Sequence, residues 1–544
     1  MKKLIKKQLI LLIAILIFGC SDSFLDINED PNQSAIGVPS LLLTYAQANL
    51  GAELVSDIGF GGSVYARQRY GLAASTYAIT GATYQSDWNS LYAGTLRDLN
   101  QVRQIGEETN NLGYVGISKV LSGYTFHVLV DYFGDIPFSE ALNGEVNLSP
   151  VFEDDADVYD AILNLLDDAI VNLDSANAQD LFVDGDIMLG GDFDSWIEVA
   201  NTLKLKMYLN ISNVDAARAR DGINEVLADG RIIDAVDEDF QLQFTSDQVP
   251  IGRHMWYQSE YDTGPGYLDN FLMLTLASLN DPRIRYYVYR QSTYDELDFQ
   301  TTPCSGRTAE QCPTWTQLQA LGLNYTGRDH GDPSGLPGDD DLVSVVGLYP
   351  SGGKYDDSSY RTVNGNSGVA ANRGAEGAGI SPIFTSSMTH FMLAEAALNI
   401  PGVTTPLTAS EHFEAGMVDS FDKVREFALS SIEADEVNEF ETDNGIDYEA
   451  LADTYVAARL SQFDTASDDD RMNLLMTQKA LASWGNGVEP YTDLRRTGFP
   501  LYPASLAPQG PFPVRVLLPD SEIAGNANAP STRPSQAEPI FWDN

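Results

Sequence analysis

The sequence predicts a mainly helical protein, with helices joined in pairs into an α-solenoid core that carries long loops. Three observations support this. Apolar residues recur at steps of three and four through much of the chain, polar residues able to cap helices stand ahead of some of these runs, and the periodicity gives way to turn residues over about 234–381.

The first helices are expected over 39–54, 86–107 and 112–131. Over 157–173, Val158, Ile162, Leu166, Ala169 and Leu173 form one stripe, while Asp160, Asn164, Asp167, Asp168 and Asn172 lie largely off it. That pattern is an amphipathic helix with an acidic first turn, which suits the helix dipole. In "WIEVANTLKLKMYLNIS", 196–212, Trp196, Ala200, Leu203, Met207 and Ile211 share a face, and Asp192 or Asp194 is placed to cap it. Further helices are expected over 386–398, 408–434, 448–462 and 470–484, the 408–434 helix opening on the capping box Thr408 and Glu411. No clean internal repeat of ~34 residues accompanies the pairing.

Within 234–381, "RDHGDPSGLPGDDD", "YPSGGKYDDSSYR" and "NGNSGVAANRGAEGAG" supply turns in place of periodicity. Loops this long in a folded body are uncommon unless they do something, so a ligand-facing role is expected, with solvated surface insertions as the alternative.

The N-terminus carries an address. Lys2, Lys3, Lys6 and Lys7 precede the apolar run 9–18, which is too short for a membrane span of roughly twenty residues and reads as the core of a secretory signal, residues 1–19. Ile17-Phe18-Gly19-Cys20 resembles a bacterial lipobox, which implies acylation of Cys20, and two or more acyl chains give a stable anchor. The short acidic stretch Ser21-Asp22-Ser23 resembles a surface-export signal of Bacteroidetes lipoproteins. The expected location is therefore the outer membrane, lipid-anchored and facing outward, with 20–544 forming one large body.

The 544 residues carry 78 acidic and 32 basic side chains, a formal net charge of -46, and setting aside the four signal lysines makes it more negative. Such a surface repels phosphate backbones, so nucleic-acid binding is not expected. The 43% hydrophobic content is enough for a large core, which argues against disorder. Of three cysteines, Cys304 and Cys312 lie close together in "CSGRTAEQC", and outside the cytoplasm a disulfide closing that loop is the expected use.

Several stretches, in order, resemble the SusD/RagB family of nutrient-binding outer-membrane lipoproteins, in its SusD-like branch. They are "CSDSFLDINEDPN", "DYFGDIPFSEAL", "WIEVANTLKLKMYLNIS", "NDPRI", "SPIFTSSMTHFMLAEAAL", "QKALASWGNGVEPYTDLRRTGFP", "PFPVRVLLPDSEIAGNANAP" and "PIFWDN". The resemblance implies a scaffold of tetratricopeptide-like helix pairs with some short strands, whose long loops shape a ligand site. It also implies a lid on a SusC-like TonB-dependent transporter that captures an oligosaccharide, or sometimes a peptide, without catalysis. Within the shared motifs, "GDIPFSEAL" reads as a structural corner. Asp493 and Glu489 offer ion-pair partners to Arg495 or Arg496.

Sugar recognition needs flat aromatic faces and planar polar side chains. "YARQRYGLAASTYAITGATYQSDWNSLY" supplies both, with Arg67, Tyr84, Asp87 and Trp88 as candidates, although Trp88 and Tyr92 stand four apart and fit a helix core equally well. A second cluster, "RHMWYQSEYDTGPGYLDNF", offers Trp256 and Tyr257, and Trp315 lies just beyond the cysteine loop. No cofactor or metal is expected. The one weighed exception is a calcium ion held by His330, Asp329, Asp332 and the acids at 339–341, against the plainer reading of hydrated loop acids. Paired carboxylates for glycoside hydrolysis arise by chance among 78 acids, no G-x-S-x-G, H-E-x-x-H or P-loop is present, and the five histidines are dispersed. Binding without catalysis is therefore expected, with an adhesive surface protein and a hydrolase as alternatives.

Overall fold

The computed structural model describes residues 37–70, 77–248, 252–263, 266–294, 308–332, 342–363, 373–507 and 509–543. The signal segment, Cys20, Cys304 and the acids at 339–341 lie outside them. The molecule is mainly helical, as the periodicity predicts, with the few short strands that the resemblance implies.

The helices of the N-terminal half are α1 (Pro39–Glu53), α2 (Asp57–Tyr65), α3 (Gln85–Ser90), α4 (Arg97–Thr109), α5 (Leu112–Phe133), α6 (Asp155–Ala178), α7 (Phe193–Asn210) and α8 (Ala216–Asp229). Strand β1 (Arg69–Tyr70) lies between α2 and α3. From α4 to α8 each helix packs on the next, and α1 packs on α4. The α6 stripe is fully buried at Val158, Ile162, Leu166, Ala169 and Leu173, as its spacing requires. Asp192 caps α7, accepting from the Asp194 and Ser195 amides at 3.0 and 3.1 Å.

Sequence and structure differ at instructive places. The expected helix 86–107 contains a π-helical stretch, Leu91–Leu96, where the Asn49 amide reaches across to Ser90 and Thr95 at 2.9 Å each. Helix α2, "DIGFGGSVY", escapes the periodicity because its glycines replace apolar side chains. They let the backbone at Gly487 approach closely, and a Cβ on Gly62 would run into the Gly487 carbonyl.

The remaining strands are β2 (Phe240–Gln243), β3 (Tyr267–Leu268), β4 (Val288–Tyr289), β5 (Val345–Val346) and β6 (Ile380–Phe384), pairing antiparallel as β1 with β3, β2 with β6 and β4 with β5. Two short helices, α9 (Asn270–Ser278) and α10 (Pro313–Ala320), stand among them. The C-terminal half then runs through α11 (Ser386–Asn399), α12 (Ala409–Ser430), α13 (Ala434–Asn444), α14 (Tyr448–Thr465), α15 (Asp468–Ala482) and α16 (Val488–Thr497). The single helix expected over 408–434 stops at Ser430. There the Ser430 and Ser431 hydroxyls bond back to the Phe427 and Ala428 carbonyls, and Ser431 turns extended.

Two large cores result. The first gathers α1–α8 and one side of α11 with the returning segments around Val488–Tyr491, Val516–Leu518 and Ile540–Trp542. The second gathers the stretch from Trp256 to Tyr355 with α11–α15. Between them lies a buried ion network on α7, α11, α15 and α16. Lys206 Nζ donates to Glu489 at 2.6 Å, Lys479 lies 2.8 Å from Asp493, and Arg496 binds Glu395 through both nitrogens and Asp493 at 3.1 Å. The ion-paired helix end expected from "EPYTDLRR" is this seam. Arg495 instead donates to the Asp131 and Val514 carbonyls.

The "GDIPFSEAL" corner follows α5. Gly134 has φ +76°, a Cβ there would meet the Arg515 guanidinium, and Asp135 accepts from the Asp155 amide at 3.1 Å to start α6.

Candidate functional site

The stretch between the two halves is built from short strands whose ends converge. β1 pairs with β3 in the register Arg69 to Leu268 and Tyr70 to Tyr267, and Arg328 joins that ribbon through its amide to the Leu268 carbonyl at 3.0 Å. Tyr70 Oη donates to the Asp332 carbonyl at 2.8 Å, Ser292 Oγ to that of Leu342 at 2.7 Å, and Gln291 bonds both Val343 and Val363. Residues that border the stretches outside the described chain therefore meet here, all of them in contact through these bonds.

Side chains of mixed aromatic and polar character gather there. The Arg67 guanidinium donates to the Pro503 carbonyl at 3.3 Å and Ser505 Oγ at 3.1 Å, and lies 5.9 Å from the Tyr502 ring. Tyr77 stands 5.7 Å from His330 and 5.3 Å from Phe512, ring to ring. Trp315 packs with Cys312 and Leu506, and the Leu506 amide donates to the His330 carbonyl at 3.0 Å. Cys312 is disulfide-bonded. Two buried atoms on this face, Trp315 Nε1 and His330 Nε2, have no hydrogen-bond partner among the described residues. Buried polar atoms of that kind are costly unless something else satisfies them.

Acids on this face serve the scaffold. Asp329 takes the Thr314 and Trp315 amides at the start of α10 at 3.0 and 2.8 Å, and the Asn270 amide at 2.7 Å. Burial pushes its carboxyl up to about 6 against those bonds. His330 Nδ1 lies 3.3 Å from Asp269, and burial holds its imidazole below the usual range. Among the described residues one group of three acids has metal-like spacing, Asp135, Asp154 and Asp155, where Asp154 and Asp135 accept backbone amides around the start of α6.

A second polar knot lies where 252, 263 and 373 rejoin the described chain. Asp262 binds both Arg373 and Arg253, the latter at 3.3 Å, and Tyr257 Oη donates to the Arg373 carbonyl at 3.1 Å.

The expected site residues therefore fall into three places. Arg67 and Trp315 come together on the converging face. Tyr84, Asp87 and Trp88 sit together inside the first core. Tyr84 Oη meets Tyr65 Oη at 2.9 Å, Asp87 accepts the Ile58 amide at 2.9 Å, and the Trp88 ring lies 4.9 Å from Phe133 and 4.7 Å from Tyr92. Helical spacing is the reason, since Trp88 and Tyr92 follow one face inward. Trp256 and Tyr257 belong to the second core. Trp256 lies under the Arg69 guanidinium at 4.7 Å and against Trp484 at 4.9 Å, while Tyr257 stacks on Tyr261 at 4.5 Å. Tyr77, one of the aromatics of the 65–92 stretch, stands here as well, although it also belongs to the first core. Ser505 joins without having been expected: it lies 438 residues from Arg67, and no local signal links them.

A family model described as "Starch-binding associating with outer membrane" matches residues 31–306, and one described as "Susd and RagB outer membrane lipoprotein" matches residues 364–510. The chain belongs to the SusD/RagB family. Solved structures agree at the level of fold. A chitin-binding protein superposes with TM-score 0.69 at 18% identity, over 93% of this chain and 100% of the other. A chitin-binding SusD homologue from Flavobacterium johnsoniae gives 0.66 at 17% identity over 92% and 97%. A SusD homologue from Bacteroides uniformis gives 0.66 at 17% over 92% and 99%. A comparison with curated proteins returns no match. Among the described residues of this SusD/RagB member, no helix is long and apolar enough to cross a membrane.

Proposed function

We propose that this SusD/RagB protein is a lipoprotein anchored through Cys20 on the outer face of the outer membrane. It captures an oligosaccharide on the converging face and passes it to a SusC-like TonB-dependent transporter, acting by binding and not by catalysis. The observation that carries this reading is the gathering of Tyr77, Trp315, Arg67 and His330, with Trp315 Nε1 and His330 Nε2 unpartnered among the described residues. Aromatic faces take the apolar side of a pyranose, and a few convergent polar groups fix its hydroxyls. The family description and the chitin-binding neighbours support the ligand class.

Calorimetry with chito- and malto-oligosaccharides tests it. Tyr77→Ala and Trp315→Ala should each weaken binding about ten-fold or more, a loss of about 1.4 kcal/mol. Binding unchanged in both variants sinks the site, and release of shorter sugars by the purified protein sinks the binding-only reading.

A further inference from the structure

One groove differs in charge from the acidic surface around it. It lies among α4, α5, α6 and the 138–143 corner, with a volume of about 280 Å³. Phe126 and Phe138 form its apolar floor, ring centroids 4.6 Å apart, and Arg103 and Lys119 stand at its sides. Arg103 donates to the Asn100 Oδ1 at 2.7 Å, and the acidic partners of both cations are exposed. Lys119 Nζ is 3.6 Å from the exposed Asp168, and Arg103 meets Glu107 in a half-exposed pair at 2.7 Å. Exposed pairs of this kind contribute little, so both cations remain open to further carboxylates.

The chain enters the described structure beside this groove. Gly37 lies against Gln101 of α4, one turn before Gln104 on the groove's lip. The preceding residues, "SDSFLDINEDPNQSAI", carry Asp22, Asp26, Glu29 and Asp30, the apolar Phe24, Leu25 and Ile27, and no basic residue. An extended chain from Ile36 back to Asp30 reaches about 20 Å, whereas two helical turns span about 11 Å. The acidic segment is therefore within reach of Arg103.

We propose that residues 24–30 dock in this groove, with Phe24, Leu25 and Ile27 over the Phe126–Phe138 floor and Asp26, Glu29 and Asp30 against Arg103 and Lys119. Docking shortens the free tether between Cys20 and the body and fixes how the body stands relative to its anchor. Only that consequence rests on the proposed lipidation. The docking does not.

Hydrogen exchange tests it on the chain from residue 20 onward carrying Cys20→Ser. At low ionic strength, amides 24–30 should exchange about ten-fold or more slower than an unstructured peptide. Arg103→Glu with Lys119→Glu should abolish that protection while α5 stays protected, and adding Asp26→Lys with Asp30→Lys should restore it. The proposal is overturned if the parent shows no protection at 24–30. It is equally overturned if protection survives both the groove reversal and the neutral tail Asp26→Asn, Glu29→Gln, Asp30→Asn. Sugar binding is not read in this experiment, so its outcome is independent of the proposed ligand site.

Discussion

The two cores are assembled by different physics. In the first, helices bring together aliphatic stripes such as Val158, Ile162, Leu166 and Leu173, which need only regular spacing to meet. In the second, the strand-and-turn stretch from Trp256 to Tyr355 is rich in tyrosine and is held by buried arginines. Arg69 lies over Trp256, Arg283 over Phe421 at 4.5 Å, Arg290 over Tyr325 at 4.8 Å and Arg328 over Tyr267 at 4.7 Å. Each of these guanidiniums also has polar contacts, as Arg283 does with Asp281 at 2.6 Å and Ser420 Oγ at 2.7 Å. A segment with few regular elements satisfies its backbone and fills its core by such stacked, multiply bonded cations.

The largest expected effect breaks one of these clamps. Arg283→Ala strands the Asp281 carboxylate in a fully buried site and should cost about 4 kcal/mol in denaturant unfolding. The apolar pair Arg283→Met with Asp281→Leu should recover most of it, since a buried charge pair is often replaceable by packed hydrophobes. If the apolar pair is as damaging as the single change, the clamp does more than fill and satisfy, and the contrast between the cores has to be redrawn.

That contrast also explains what the sequence discloses. The helices of the first core are visible because period 3.6 repeats within one stretch, as in α6 and α7. The clamps of the second core are not, since Arg283 finds Ser420 and Arg69 finds Glu260 across long gaps. The same reason hides the site. Aromatic residues in a glycine-rich stretch such as Trp256 suggest exposure, yet Arg69 approaches from a distant strand and covers it. "EPYTDLRR" discloses its charges but not that Lys206, Lys479 and Glu395 would share them.

The seam between the cores gives the next effect. Lys206→Met leaves Glu489 with Lys479 at 3.8 Å and removes a cation from a fully buried network, at a cost of about 3 kcal/mol. Because Lys206 also lies 3.6 Å from Asp493, which holds Lys479 of α15 in the second core at 2.8 Å, unfolding followed by hydrogen exchange should separate into two steps, the first core opening ahead of the second. A single coincident transition would show that the shared helix packing, not the ions, makes the molecule cooperative.

The smallest effect concerns pH, and the two cores should respond with opposite sign. In the second core His254 is buried, with its pKa lowered to about 3 by burial and by Arg69. Its folded value lies below the usual 6.5, so the unfolded chain binds the extra proton first. The stability it contributes is present above 6.5 and is lost as pH falls toward 3. In the first core Asp87 is pushed up to about 7 by burial and by Glu53 and Asp57. Its folded value lies above the usual 3.8, so its contribution is fullest below 3.8 and is lost as pH rises through 7. Asp87→Asn keeps an acceptor for the Ile58 amide and removes the charge. It should therefore raise protection of α2 and α3 at pH 8, leave it unchanged at pH 4, and leave the acid sensitivity around Trp256 untouched. Were the variant to shift both regions together, the cores would be exchanging protons and strain through the seam, and their separate chemistry would not amount to separate stability.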